Sequence, residues 1–171
     1  MIYTPLFIDV EFGGVPQAEA EVLTPVSAVR MGFVKGGVAG EDDDVAEYAF
    51  DGDDMWEKAC SFLTAFRNAS AAPVAIVGFN LRNLVWPAFV FNAAAHGGHL
   101  PKEVLKPLDR RWNDCLMVDL RDALLQGGYS DRARSVSAVR DEFASAGASP
   151  PKGTIQFLRF MHDRYVDLAR R

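Results

Sequence analysis

The chain of 171 residues lacks a long apolar run, since no stretch reaches the roughly 18 to 20 residues that cross a bilayer. Its amino end lacks the basic segment of a secretory leader and carries acidic residues from position 9. Cysteine is scarce too: Cys60 and Cys115 lie far apart, in patterns of a buried helix face and a strand edge, which suggests neither a disulfide framework nor a cysteine zinc site. These absences predict a protein without a membrane partner in a reducing cytoplasm.

Basic residues are few in the first part of the chain. Residues 1–101 hold 5 Lys and Arg against 13 Asp and Glu, a net charge of −8, whereas residues 102–171 hold 13 against 10, a net charge of +3. Because affinity for phosphate comes largely from Lys and Arg, a chain of net charge −5 is not expected to coat nucleic acid nonspecifically. Local binding of a few nucleotides near the basic carboxyl-terminal third of the chain is an alternative that the charge distribution leaves open.

The hydrophobic content of 49% fits one domain over residues 1–171 with a sizeable core. Patterns of apolar residues predict strands over residues 6–12, 22–34, 45–50, 73–79 and 116–120. They predict helices over residues 54–69, 87–95, 135–146 and 154–170, the first with Asp54 and Glu57 as a capping box. A strand meander followed by strand–helix alternation predicts an α/β fold, with a mixed five-stranded sheet flanked by helices.

Asp9 and Glu11 stand at alternate positions of the first predicted strand, so their carboxylates point to the same face. On an otherwise apolar strand the two groups would repel each other and lose solvation. A divalent cation such as Mg²⁺ or Mn²⁺ would compensate both charges. The alternative is an edge strand with one wet face, since alternating acids also arise by chance.

His162 and Asp167 lie near the end of the last predicted helix. Histidine titrates near neutral pH, and beside a metal-bound water it is a candidate general base. An aspartate nearby is a candidate metal ligand. The alternative for His162 is a satisfied, partly buried histidine at an apolar helix face.

Three segments together carry a family resemblance. Residues 7–12 read Phe-Ile-Asp-Val-Glu-Phe, residues 77–89 run from a buried strand through Asn80 into a helix, and residues 162–167 read His-x4-Asp. In this order they resemble the three motifs of the DEDD superfamily of 3′-5′ exonucleases, in its DnaQ-like, DEDDh-type branch. The resemblance covers nearly the whole chain and implies the ribonuclease H-like three-layer fold.

The resemblance implies a metal-dependent 3′-5′ exonuclease, a hydrolase that releases nucleoside 5′-monophosphates from DNA or RNA ends. Asp9, Glu11 and Asp167 would ligate Mg²⁺ or Mn²⁺, and His162 would deprotonate the attacking water. Two ions would stabilise the attacking and leaving oxygens of the displacement. Discrimination between DNA, RNA and short oligonucleotides depends on cleft geometry that the motifs do not specify.

Aromatic residues near the motifs have two interpretations each. Asn80, Phe12 and Trp86 are candidates to line a nucleotide cleft, where aromatic stacking is indifferent to base identity; core packing of both aromatics is the alternative. Phe157 and Phe160 either form a homodimer face or pack on the sheet.

The second motif departs from the family at Val85, where an aspartate usually helps to hold the second metal. Leu84 and Trp86 lack a carboxylate as well, so a shift of one residue does not restore the motif. Either Asp119 or Asp122 substitutes, or the domain has lost catalysis and serves as a nucleic-acid or protein interaction module. A third alternative is a different nuclease or phosphotransferase of the ribonuclease H-like group.

Overall fold

The computed structural model describes residues 3–35, 45–98, 116–126 and 135–169. Cys115 and the carboxyl-terminal arginines lie outside these residues. The described strands are β1 (Thr4–Phe12), β2 (Val26–Val34), β3 (Val45–Asp51), β4 (Val74–Gly78) and β5 (Leu116–Asp119). The described helices are α1 (Met55–Ala69), α2 (Trp86–Ala95), α3 (Leu120–Gln126), α4 (Val136–Ser145) and α5 (Thr154–Ala169), and a π-helical turn over Leu81–Val85 precedes α2.

The five described strands form one mixed sheet in the order β3-β2-β1-β4-β5. β2 pairs antiparallel with β1 and β3, whereas β4 pairs parallel with β1 and β5. One apolar cluster packs α1 and α2 on one face, and a second packs α3, α4 and α5 on the other. The predicted α/β architecture is confirmed, and it is compatible with a ribonuclease H-like fold. No helix among the described residues is long and apolar enough to span a bilayer.

β1 is the central strand, and its alternation places opposite chemistry on its two faces. Leu6, Ile8 and Val10 belong to the cluster under α1 and α2. Phe7 belongs to the cluster under α5, so Asp9 and Glu11 continue that same face toward the end of the strand. The predicted shared face of the two acids therefore follows from the strand geometry.

Two predicted element ends and one predicted helix cap differ from the structure. β2 begins at Val26 rather than at residue 22, because Pro25 precedes it and the Thr24 N–H donates to the Glu21 carbonyl in a turn. Leu120 begins α3 instead of ending β5. The side chain of Asp54 does not cap α1; it forms an ion pair with Lys58 at 2.7 Å.

Helix α5 packs across the sheet through a periodic apolar face. Ile155, Phe157 and Leu158 are fully buried. Phe160 is partly buried against the same cluster, with the Arg164 guanidinium 3.4 Å from its ring centroid. Of the two interpretations of Phe157 and Phe160, packing within the domain is therefore the one that the structure bears out.

Candidate functional site at the carboxyl ends of the parallel strands

The carboxyl ends of β1, β4 and β5 meet at one edge of the sheet because the three strands run parallel. Polar residues concentrate there: Asp9 and Glu11 on β1, Asn80 after β4, and Asp119 at the end of β5. Crevices outside the carboxyl ends of strands are where open α/β sheets bind ligands. This edge is therefore the candidate site.

Asp9 is a buried carboxyl group, with 8% of the residue exposed. Burial raises the pKa of Asp9 to about 6, and the neighbouring Glu11 also raises it, whereas hydrogen bonds and Arg30 oppose the shift. The side-chain amide of Gln17, in the turn after β1, donates to Asp9 Oδ1 at 3.2 Å. Burial therefore disfavours the charged form of Asp9, and its carboxyl group accepts a side-chain hydrogen bond from Gln17 in the turn that follows β1.

Arg30 faces Asp9 directly across the β1–β2 pairing. Its Nε donates to Glu11 Oε1 at 2.5 Å, and its Nη1 donates to Glu47 Oε1 at 3.2 Å. The hydrogen bond to Glu11 is the largest of the effects that raise the pKa of Arg30. One guanidinium on β2 thus lies among three carboxylates, two from β1 and one from β3.

A second polar group links the ends of β4 and β5. Asp119 is 5% exposed and accepts backbone N–H bonds from Arg82 at 2.9 Å and from Arg121 at 3.0 Å. The Arg82 guanidinium crosses to the carbonyl of Met117 on β5, and the Arg121 guanidinium crosses to Asn80 Oδ1 after β4, at 3.4 Å. Burial raises the pKa of Asp119, and these N–H donors oppose the shift.

Asn80 has a left-handed backbone, with φ of 53°, and it is the only described non-glycine residue with positive φ. Asparagine tolerates this region better than most residues, but the conformation still carries strain. The carbonyl of Asn80 accepts the N–H groups of Leu84 and Val85, which builds the π-helical turn. Such turns and strained residues concentrate at functional sites.

His162 lies on α5 against the amino half of β1 and is 6% exposed. Its Nε2 is hydrogen-bonded to the Tyr3 hydroxyl at 2.8 Å, and its ring contacts the Phe7 ring edge-on, with centroids 5.7 Å apart. Its Nδ1 is buried and lies 3.6 Å from Asp163 Oδ1, beyond hydrogen-bonding distance. His162 is therefore buried, as in the alternative interpretation, but of its two ring nitrogens Nε2 has a hydrogen-bond partner and the buried Nδ1 does not.

The other predicted site residues are dispersed. Asp167 is exposed on α5. Phe12, Val85 and Trp86 are buried in the cluster under α1 and α2, so the alternative of core packing describes both aromatics. Of the suggested substitutes for the missing aspartate, Asp119 has its two oxygens engaged by backbone N–H groups.

The divalent-metal centre implied by the family resemblance does not fit the described geometry. Glu11 is occupied by Arg30, and Val85 offers no oxygen. In residues 3–35, 45–98, 116–126 and 135–169, no three His, Cys, Asp or Glu side chains are grouped to hold a metal. The pair Asp9 and Glu11 shares a face, as predicted, whereas His162 is hydrogen-bonded to Tyr3 and Asp167 is exposed on α5.

The sequence analysis did not predict a role for Arg30, Gln17, Arg82 or Arg121. The signal for Arg30 lay in β2, where a single arginine interrupts an apolar strand, but its position opposite Asp9 follows only from the strand register.

A scan against protein-family models finds no match for this chain, and a search of curated proteins finds no significant relative.

Proposed function

We propose that this chain is a non-hydrolytic member of an exonuclease-like fold that binds single-stranded nucleic acid at the carboxyl edge of β1, β4 and β5. The proposal is based on the position of Arg30, which forms ion pairs with Glu11 and Glu47 and lies opposite Asp9 in the pairing of β1 with β2. In a hydrolytic enzyme of the resembled family, a metal ion would neutralise the two β1 carboxylates. Here an arginine of the chain contacts Glu11 instead.

The proposed binding surface is formed by the side chains of Arg82, which follows β4, and Arg121, which follows β5. At the sheet edge the Arg82 guanidinium donates to the Met117 carbonyl, and the Arg121 guanidinium donates to Asn80 Oδ1. Guanidinium groups suit phosphate because their planar fork can form paired, charge-assisted hydrogen bonds. The strained backbone of Asn80 supports a functional role for the same edge.

A second candidate, a metal-dependent 3′-5′ exonuclease, is favoured by one specific observation. Asp9 and Glu11 share a face of the central strand, and burial raises the pKa of Asp9 to about 6. A buried carboxylate of this kind gains most from a cation that neutralises it. The two candidates differ in whether a bound oligonucleotide is shortened.

The test uses 5′-labelled single-stranded DNA and RNA, with Mn²⁺ or with chelator, and products resolved at single-nucleotide steps. We expect binding in chelator without shortening in either condition. In the double variant Arg82→Ala with Arg121→Ala, affinity should fall by about a hundredfold or more, since two hydrogen bonds to charged groups at roughly 1.5–3 kcal/mol each contribute at least about 3 kcal/mol. Arg82→Ala keeps the backbone N–H that binds Asp119.

Arg67→Ala is the matched control, because Arg67 lies in the last turn of α1, which leads to the opposite, amino end of β4. It removes one positive charge, as each single variant Arg82→Ala or Arg121→Ala does, and should leave affinity nearly unchanged. Equal losses in the control would place binding elsewhere. A Mn²⁺-dependent ladder that shortens from the 3′ end, and is lost in Asp9→Ala, would establish the second candidate instead.

A further inference from the structure

Asp119 joins the two chain segments that follow β4 and β5. It is the last residue of β5, it is buried, and it pairs with Gly78 at the end of β4. Each oxygen of its carboxylate accepts a backbone N–H: Oδ2 from Arg82 at 2.9 Å and Oδ1 from Arg121 at 3.0 Å. Because Arg82 and Arg121 are far apart along the chain, this one side chain fixes the distance between their backbones.

The side chains of the two arginines reach across to the opposite segment. The Arg82 guanidinium donates to the Met117 carbonyl of β5 at 3.2 Å. The Arg121 guanidinium donates to Asn80 Oδ1 after β4 at 3.4 Å. Each arginine is therefore held at its backbone by Asp119 and at its side chain by an atom of the neighbouring segment. Such attachment at two points reduces the ordering that a ligand would otherwise have to impose.

The two N–H groups explain why the residue at this position is an acid. A carboxylate has two acceptor oxygens, whereas asparagine has one oxygen and an NH₂ group that donates. A negative charge near a phosphate-binding surface opposes phosphate binding, and burying that charge costs free energy as well. An aspartate at position 119 is thus unfavourable for phosphate affinity unless its hydrogen bonds to the two arginine segments matter more.

We infer that Asp119 is a positioning residue, whose carboxylate sets the spacing of Arg82 and Arg121 so that both guanidinium groups bind one oligonucleotide. This role rests on the proposed function, because the spacing matters for binding only if both groups contact nucleic acid. Neutralising Asp119 should weaken binding, whereas removal of a nearby negative charge ordinarily strengthens the binding of a polyanion. The effect of Asp119 should also require the two arginines.

The experiment measures the Kd of 5′-labelled single-stranded DNA and RNA in chelator at low salt, where weak complexes remain measurable. Asp119→Asn should lower affinity by about tenfold or more, as expected for the loss of about one hydrogen bond to a charged group. Asp122→Asn, the matched control, removes the same charge from the first turn of α3 and should raise affinity slightly. In the double variant Arg82→Ala with Arg121→Ala, adding Asp119→Asn should change affinity by less than about twofold.

The pattern of losses separates the positioning role from the proposed function. Binding that depends on the arginines but is unchanged or stronger in Asp119→Asn would overturn the positioning role alone. An equal loss in Asp122→Asn, or in the background that lacks both arginines, would overturn it too, because the loss would then be unrelated to their spacing. A wild type that binds neither DNA nor RNA would overturn the proposed function and this role together.

Circular dichroism establishes that each variant is folded before its Kd is compared. Should Asp119→Asn fail to fold, Asp119→Ser takes its place. Serine can still accept the Arg121 N–H at the start of α3, but its single, shorter-reaching oxygen cannot hold both segments. The same loss of about tenfold or more is expected, and an unchanged Kd in Asp119→Ser would overturn the positioning role.

Discussion

Replacing Asp9 by Asn should stabilise the protein at neutral pH. Asp9 is 8% exposed, and burial raises its pKa to about 6 from an ordinary value of 3.8. The folded state therefore binds this proton more tightly than the unfolded state does. Asparagine has nearly the same shape, keeps an oxygen that accepts the Gln17 N–H, and carries no charge to desolvate.

The magnitude follows from linkage between proton binding and folding. A difference of about two pKa units corresponds to about 3 kcal/mol, since one unit is about 1.4 kcal/mol. Because the folded-state pKa is the higher one, ionisation of Asp9 lowers stability as the pH rises from about 4 to about 6. The advantage of Asp9→Asn in free energy of unfolding should thus grow from below about 1 kcal/mol at pH 4 to about 3 kcal/mol at pH 7.

The assay is urea unfolding of both proteins, followed by tryptophan fluorescence or circular dichroism at pH 4, 5, 6 and 7 in chelator. Asp141→Asn, at an exposed position of α4, is the control and should differ from the wild type by less than about 0.5 kcal/mol at every pH. An Asp9→Asn protein that is less stable than the wild type at pH 7, or whose advantage does not change with pH, would show that the ionised Asp9 carboxylate does not destabilise the fold.

Three further substitutions test the packing around the site, each by urea unfolding. Val85→Asp places a carboxylate in an apolar cluster where Val85 is fully buried, so we expect a loss of about 4 kcal/mol or more that Mn²⁺ does not restore; recovery with Mn²⁺ would contradict this. Gly32→Ala should lose roughly 1–3 kcal/mol, because its Cβ would lie 2.8 Å from the Ala46 carbonyl oxygen and would collide with Ile155; an unchanged midpoint would count against this packing. Tyr3→Phe removes the partner of His162 Nε2 and should lose about 1–3 kcal/mol, and a neutral effect would show that the histidine finds another partner.

Much of the fold could be predicted from local sequence pattern. The apolar run that became β4 is buried at all five positions, as expected for a strand covered on both faces. The alternation of β1 predicted that Asp9 and Glu11 share a face. Element ends were less accurate, as at β2, because Pro25 and the turn at Glu21 override the apolar character of Val22.

The site was harder to predict because it depends on register and on long-range contacts. Arg30 and Asp9 are 21 positions apart, and only the pairing of β1 with β2 brings them face to face. His162 and Tyr3 are 159 positions apart and meet only when α5 crosses the sheet. A motif such as His-x4-Asp gives the spacing along a helix but not the strand residue opposite it, so the role of His162 could not be read from the spacing.

We propose that this edge of the sheet binds nucleic acid without hydrolysing it, and incubation with a 5′-labelled oligonucleotide in Mn²⁺ is the decisive experiment. We expect a retained complex of full-length oligonucleotide with the wild type, and a weakened complex with the Arg82→Ala, Arg121→Ala double variant. Shortening from the 3′ end that disappears in Asp9→Ala would contradict it.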